Sequence, residues 1–299
     1  MSTAHYQPSA AAARPAFGGA DTGPLGAEEY EEHEEHEEHE DGTGTDGTPI
    51  RLVPHLVSAV IFDADRVLTD SQSLRVMAWQ DTLDSYLAQY THVTGRPQRH
   101  LDAASDLPAH LTGRLDADTG AALLAEHLVV ADLAVQHLGP SGEDLLGLLV
   151  RHQDRCFEEL LHSQPVPPRR GAVHLLLALR TAGIRTAAVT TSRRGALLLR
   201  AAGLAELVDA SVDAGDAWHC GLAGPPEPGL FELALGLLQA APARSVLLAG
   251  TPLGTAAGVR AGFGRTVAIT FDHEAPSGPW PAGEPLVRGL GAVTVVESD

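Results

Sequence analysis

Asp63 and Asp65 are separated by one residue and follow directly on the apolar run Leu56 to Phe62. Two carboxylates at the end of a buried strand can face one crevice when the chain turns there. One can then act as a nucleophile while the other gives and takes a proton. A cap or a tight turn uses the same residue types, so the pair alone leaves both readings open. The other polar clusters have plainer alternatives. Asp209, Asp213 and Asp216 stand near a later strand end, where either a metal ligand or an ordinary acidic loop fits. His219 and Cys220 are adjacent, at no useful metal-ligand spacing, and read as incidental. His33, His36 and His39 recur every third residue in an acidic tract. A transient helix would put these three on one face for a weakly held metal, whereas a solvated tail asks nothing of them.

The elements that must carry the two aspartates are legible from pattern. The run from Leu56 to Phe62 reads as a strand buried on both faces of a parallel sheet. After a short loop, Ser71 can cap a helix on which Trp79, Leu83, Tyr86, Leu87 and Tyr90 keep helical spacing, with Trp79 as packing. Further helices are expected at about 119 to 138 and 142 to 162, broken at Gly139-Pro140 and Gln164-Pro165. Beyond Arg169 the pattern alternates: helix 171 to 182, strand 184 to 190, helix 193 to 202, strand 208 to 212, helix 229 to 239, strand 245 to 249, helix 254 to 261 and strand 265 to 270. Ala292 to Val296 is expected to add an edge strand. Helices and strands taking turns define an α/β fold, a three-layer Rossmann-like parallel sheet with a helical cap inserted after the first strand. The expected division is a tail over 1–50, a core from 51–71 and 166–299, and a cap over 72–165. Ligands bind at the carboxyl ends of such strands, so residues just after 62, 190 and 249 should share one crevice.

Composition narrows the partners. With 44% hydrophobic and 20% charged residues, the 299-residue chain can bury a full core. The first fifty residues hold one Arg against twelve acids, so more than half of the formal charge of −19 sits in a tail without hydrophobic periodicity. The rest holds 19 Arg against 27 acids, which disfavours nucleic acid and anionic membrane as partners. No apolar run reaches membrane-spanning length, and two cysteines are too few for a disulfide framework, so a reducing cytoplasm is the expected compartment. All 20 basic residues are Arg, which removes any chemistry that needs an ammonium group.

The stretch from Asp63 to Asp70 resembles the first motif of the haloacid dehalogenase superfamily, in its β-phosphoglucomutase-like branch. That motif reads Asp-x-Asp-Gly-Val-hydrophobic-x-Asp, and Arg66 stands in place of the glycine. The likeness continues through Ala78-Trp79, Gly95-Arg96-Pro97, Ala187 to Arg193, Ala201 to Leu204, Pro226 to Phe231 and Gly254 to Phe263. It implies that Asp63 attacks a phosphoryl group and Asp65 protonates the leaving oxygen. It further implies that Thr190 holds the transferring group, and that Ser192 and Arg193 grip a phosphate on a small phosphorylated metabolite such as a sugar phosphate. Arginine suits such a grip because its planar fork binds oxygens in pairs.

The same resemblance exposes departures. Pro225 stands where the family has a lysine that neutralises the phosphoryl charge, and Ala249 and Gly250 replace the acidic pair that holds Mg²⁺. Arg75 replaces a family histidine on the first cap-side helix. Only Asp63 and the Asp65 carbonyl remain as metal ligands, an incomplete site that makes the family's Mg²⁺ doubtful here. Losing one preorganised electrostatic group typically costs ~10²–10³ in rate. The expectation is therefore weak or lost phosphoryl transfer; the alternative is an active phosphatase or phosphomutase working through an Asp63 aspartyl phosphate. Arg66 is expected to point into solvent from its loop, with a reach toward bound phosphate as the other option. No residue pattern identifies a protein partner.

Overall fold

The structure, a computed structural model, describes residues 49–95, 107–127, 145–271 and 279–296. The Glu-Glu-His tract with His33, His36 and His39 lies outside them, as do Arg96, Pro97 and the far end of the helix expected over 119 to 138. Eight strands are described: β1 (Ile50–Leu52), β2 (Ala59–Asp63), β3 (Arg185–Val189), β4 (Ala210–Val212), β5 (Ser245–Ala249), β6 (Arg265–Thr270), β7 (Leu286–Arg288) and β8 (Val293–Val295). Six of them form one parallel sheet in the order β4-β3-β2-β5-β6-β7.

β2 is central because its side chains are apolar on both faces. Val60 and Phe62 enter the core on one side of the sheet, while Ala59 and Ile61 enter the core on the other, as the two-residue period of a strand requires. Phe62 lies opposite Ala188 of β3 and Leu248 of β5, so Asp63 emerges between the ends of both neighbours. This register sets Thr190 and Gly250 on either side of it.

Between β2 and β3 the chain leaves the sheet to build the cap. Helix Gln72–Thr94 packs along helix Leu145–Ser163, and the short helix Pro108–Leu111 and helix Asp116–His127 complete a separate apolar cluster around Trp79, Leu83, Leu107, Leu111, Leu123 and Leu149. Trp79 is fully buried at its centre. Trp79→Ala should therefore cost roughly 3–5 kcal/mol, read as a lower urea midpoint for the intact chain; a loss below about 1 kcal/mol would mean that the cap packs independently of this ring.

Three differences from the sequence reading have physical causes. Val293–Val295 does not extend the main sheet; it pairs in parallel with Ile50–Leu52, and the sheet edge is Leu286–Arg288 instead. Ile50, at the end of the compositional tail, is the first residue of that small ladder and is buried with Leu52. Helix Ala214–Cys220 has no apolar stripe to announce it, but Asp213 and Asp216 form a capping box at its start.

Candidate active site

Immediately after β2 the chain makes one π-type turn, Ala64–Leu68, closed by a hydrogen bond from the Thr69 N–H to the Ala64 carbonyl at 3.0 Å. Ala64, Val67 and Leu68 anchor it in the core. Asp63 caps this turn: its Oδ1 accepts from the N–H groups of Asp65 and Arg66 at 3.0 and 3.3 Å, and its Oδ2 accepts from the Gly250 N–H at 3.3 Å. The functional and capping readings of the aspartate pair thus meet in one side chain. Burial pushes the Asp63 carboxyl up to about 6, with the neighbouring Asp65 adding to the rise and Arg66 opposing it.

Asp65 is buried and held from two directions. Ser71 Oγ donates to its Oδ1 at 3.0 Å and Thr190 Oγ1 donates to its Oδ2 at 2.5 Å. Thr190 in turn accepts from the Ser192 N–H at 3.0 Å. The crevice brings together Asp63, Asp65 and Thr190. Ser192 is fully buried, with its Oγ accepting from the Arg194 N–H at 3.2 Å, and it shapes the turn rather than lining the crevice. Arg193 faces elsewhere. It lines a separate cavity of about 510 Å³ between cap and core, lies 5.8 Å from the Trp218 ring centre, and approaches Asp154 at 3.7 Å.

Two arginines enter the crevice instead. Arg66 is buried, 8% exposed, which overturns the solvent-facing expectation. Its backbone is drawn inward by the cap on Asp63, and its side chain lines the crevice beside Asp63. Arg75 is 1% exposed. It donates to Thr191 Oγ1 at 3.0 Å, to Asp116 Oδ1 at 2.7 Å and to the Arg114 carbonyl at 3.4 Å, and its Nη1 lies 3.9 Å from Asp65 Oδ2. The carboxylates around it outweigh burial and hold its guanidinium charge more firmly than usual. Sequence reasoning registered Arg75 only as a replaced histidine. The available signal was its position four residues before Trp79, which puts both on one helix face, and both reach Asp116.

The family's magnesium does not fit these residues. Ala249 and Gly250 offer no carboxylate, and a Cβ on Gly250 would fall 2.5 Å from the Arg66 Cβ and 3.3 Å from Asp63 Oδ2. Arg66 and Gly250 thus share one space. The Asp65 carbonyl already faces the Ser71 N–H at 3.3 Å. Among the described residues no group of three His, Cys, Asp or Glu side chains is placed to hold a metal. Nor do the later aspartates supply a displaced ligand: Asp209 accepts from the Thr186 N–H at 2.7 Å, and Asp213 and Asp216 cap their helix. Pro225 lines the crevice in the family lysine's place and brings no charge.

With this geometry, the likeness to known proteins is specific. A haloacid dehalogenase-like hydrolase model matches residues 57–262, and the chain belongs to that family. Its place is in the β-phosphoglucomutase-like branch: it is 30% identical over 218 residues to a β-phosphoglucomutase of Mycobacterium tuberculosis, spanning 73% of this chain and 82% of that one. Among solved structures, CbbY from Rhodobacter sphaeroides in complex with phosphate superposes with a TM-score of 0.57 at 21% identity, covering 77% of this chain and 93% of its own. A haloacid dehalogenase family hydrolase from Deinococcus radiodurans, with bound phosphate and sodium, gives 0.53 at 26% identity over 79% and 92%.

Proposed function

We propose that this chain binds a small phosphorylated metabolite, a sugar phosphate, at the carboxyl ends of β2, β3 and β5, and that phosphoryl transfer from it is weak or lost. The observation that carries the reading is the crowding at position 250, where a Cβ would fall 2.5 Å from the Arg66 Cβ and so leave no room for a metal-binding carboxylate. A carboxylate attacking a phosphate ester brings like charges together, and the family offsets that repulsion with a lysine and a metal. Here Asp63 keeps its place, but Ala249 and Gly250 provide none of the carboxylates that would help to hold a Lewis acid for its attack. Asp65 can still give a proton to a leaving oxygen, and Thr190 holds it toward the crevice through the 2.5 Å hydrogen bond. Binding is the function these residues retain best. Both cysteines are free, and no helix among the described residues is long and apolar enough to cross a membrane.

A second reading rests on a different observation. Asp63, Asp65 and Thr190 remain together in one crevice, which favours an active phosphatase or phosphomutase working through an Asp63 aspartyl phosphate. Phosphate release from a panel of hexose and pentose phosphates, by the wild type and by Asp63→Asn, separates the two. Equal background in both proteins is the expected outcome. Turnover that disappears in the variant establishes the second reading.

A further inference from the structure

The departures at positions 66, 75, 225 and 250 are not independent losses. Arg66 and Gly250 are the two halves of one exchange: the family's glycine and acid have become an arginine and a glycine in the same space, with the Cβ positions 2.5 Å apart. Where the resemblance implies a carboxylate with a divalent cation, this chain has a buried arginine that lines the crevice together with Asp63. Arg75, also lining the crevice, lies 3.9 Å from Asp65, while Pro225 at the lysine position brings no cation. Three carboxylates, Asp63, Asp65 and Asp116, now face two guanidiniums, leaving the formal charge one short of neutral.

From this exchange we infer that the crevice is a metal-independent site for a phosphoryl dianion, with Arg66 and Arg75 supplying the attraction that relatives take from lysine and magnesium. The inference rests on the phosphate-ester reading above and specifies how that ligand is held. Guanidinium forks suit the task, since each presents paired N–H donors to phosphate oxygens without dehydrating a cation. They do not replace a Lewis acid shared with the nucleophile, which is why binding persists where transfer fades. The site is built on buried groups: Arg75 is 1% exposed and its Nε has no hydrogen-bond partner among the described residues.

Space for the ligand follows from how the walls are made. Arg75 lines the crevice, while its partner Asp116 lines the 510 Å³ cavity between cap and core. The Arg75–Asp116 pair thus links the two spaces. An entering phosphoryl group competes with Asp116 for Arg75, and parting this pair opens room behind it for the organic portion of the ester.

The test is titration calorimetry of the full chain with inorganic phosphate, in EDTA and in millimolar MgCl₂. Phosphate should bind in EDTA, with magnesium changing the affinity by less than about twofold. Arg66→Gly should weaken metal-free binding roughly 10–100-fold, the scale of a lost charge-assisted contact, and Arg66→Lys should recover part of it. Because removing Arg75 strands buried carboxylates, Arg75→Lys, checked for folding by circular dichroism, is the second variant and should also weaken binding. Phosphate bound only with magnesium overturns the arginine inference and leaves the phosphate-ester reading standing. Binding in EDTA that Arg66→Gly leaves unchanged also overturns the inference, because the anion then sits elsewhere. Absence of binding under both conditions overturns the inference and the reading together.

Discussion

Gly250→Asp should destabilise the fold by roughly 2–4 kcal/mol, as overpacking and a buried like charge combine, and Arg66→Gly/Gly250→Asp should regain stability only when magnesium is present. The single substitution drives a Cβ against the Arg66 Cβ at 2.5 Å and sets a new carboxylate beside Asp63 Oδ2. Neither atom yields easily, since the Arg66 backbone is fixed by its hydrogen bond to Asp63 and Gly250 directly follows a fully buried strand. Removing Arg66 in the double variant relieves the crowding but also removes the cation, so two adjacent carboxylates face each other unpaired. Magnesium settles that repulsion, and binding to the native state alone raises the melting temperature by mass action. The expected pattern is therefore a wild type indifferent to MgCl₂, a single variant with a lowered melting temperature, and a double variant whose melting temperature climbs with magnesium concentration. Differential scanning fluorimetry across a magnesium series reads all three. A Gly250→Asp variant within about 0.5 kcal/mol of wild type, the range of an ordinary surface change, would show that the two positions do not compete for space.

That competition marks the limit of what the sequence discloses. The buried strands were legible because Ala59 to Phe62, Ala187 to Val189 and Val246 to Ala249 are apolar on both faces and bounded by polar residues. Their carboxyl ends were legible for the same reason, and with them the crevice holding Asp63, Asp65 and Thr190. Three-residue strands such as Ile50–Leu52 carry no period of their own, and their partner lies at the far end of the chain, so only the assembled fold defines them. The arginines were misjudged on a different ground. Arginine is rarely buried, and a loop arginine on an acidic chain is ordinarily solvated. What reverses the odds is the surroundings, in which Asp65, Asp116 and Thr191 gather around Arg75 from three separate segments. Nothing adjacent in sequence announces that set. Arg193 lies between Asp154 of a cap helix and the Trp218 face of a core helix, a placement that only the assembled fold defines.

Asp63→Asn should stabilise the protein by roughly 1–3 kcal/mol at pH 8 and change it little at pH 4. In the unfolded chain this carboxyl ionises at the usual 3.8, whereas in the fold burial and Asp65 raise it to about 6. Between those values the native state holds a proton that the unfolded state has released, so the contribution of this group to stability falls as pH rises through the window. Below about pH 4 the carboxyl is neutral in both states and carries no penalty; above about pH 6 the penalty is complete and constant. Asparagine never ionises, so the variant escapes that loss. Its amide oxygen can still accept from the Asp65 and Arg66 N–H groups, while the contact from Gly250 to Oδ2 is given up, which trims the gain by about 1 kcal/mol. The groups facing Asp63 leave the sign unchanged: Asp65 deepens the penalty, and Arg66 and the backbone donors only moderate it. Urea unfolding at pH 4, 6 and 8 reads the difference between the two proteins. A gap that stays constant across the three would assign the effect to shape rather than charge. A gap that opens with rising pH would show that the fold keeps a carboxylate where the unliganded chain is better off without one, the cost a binding site bears for holding its charge in readiness.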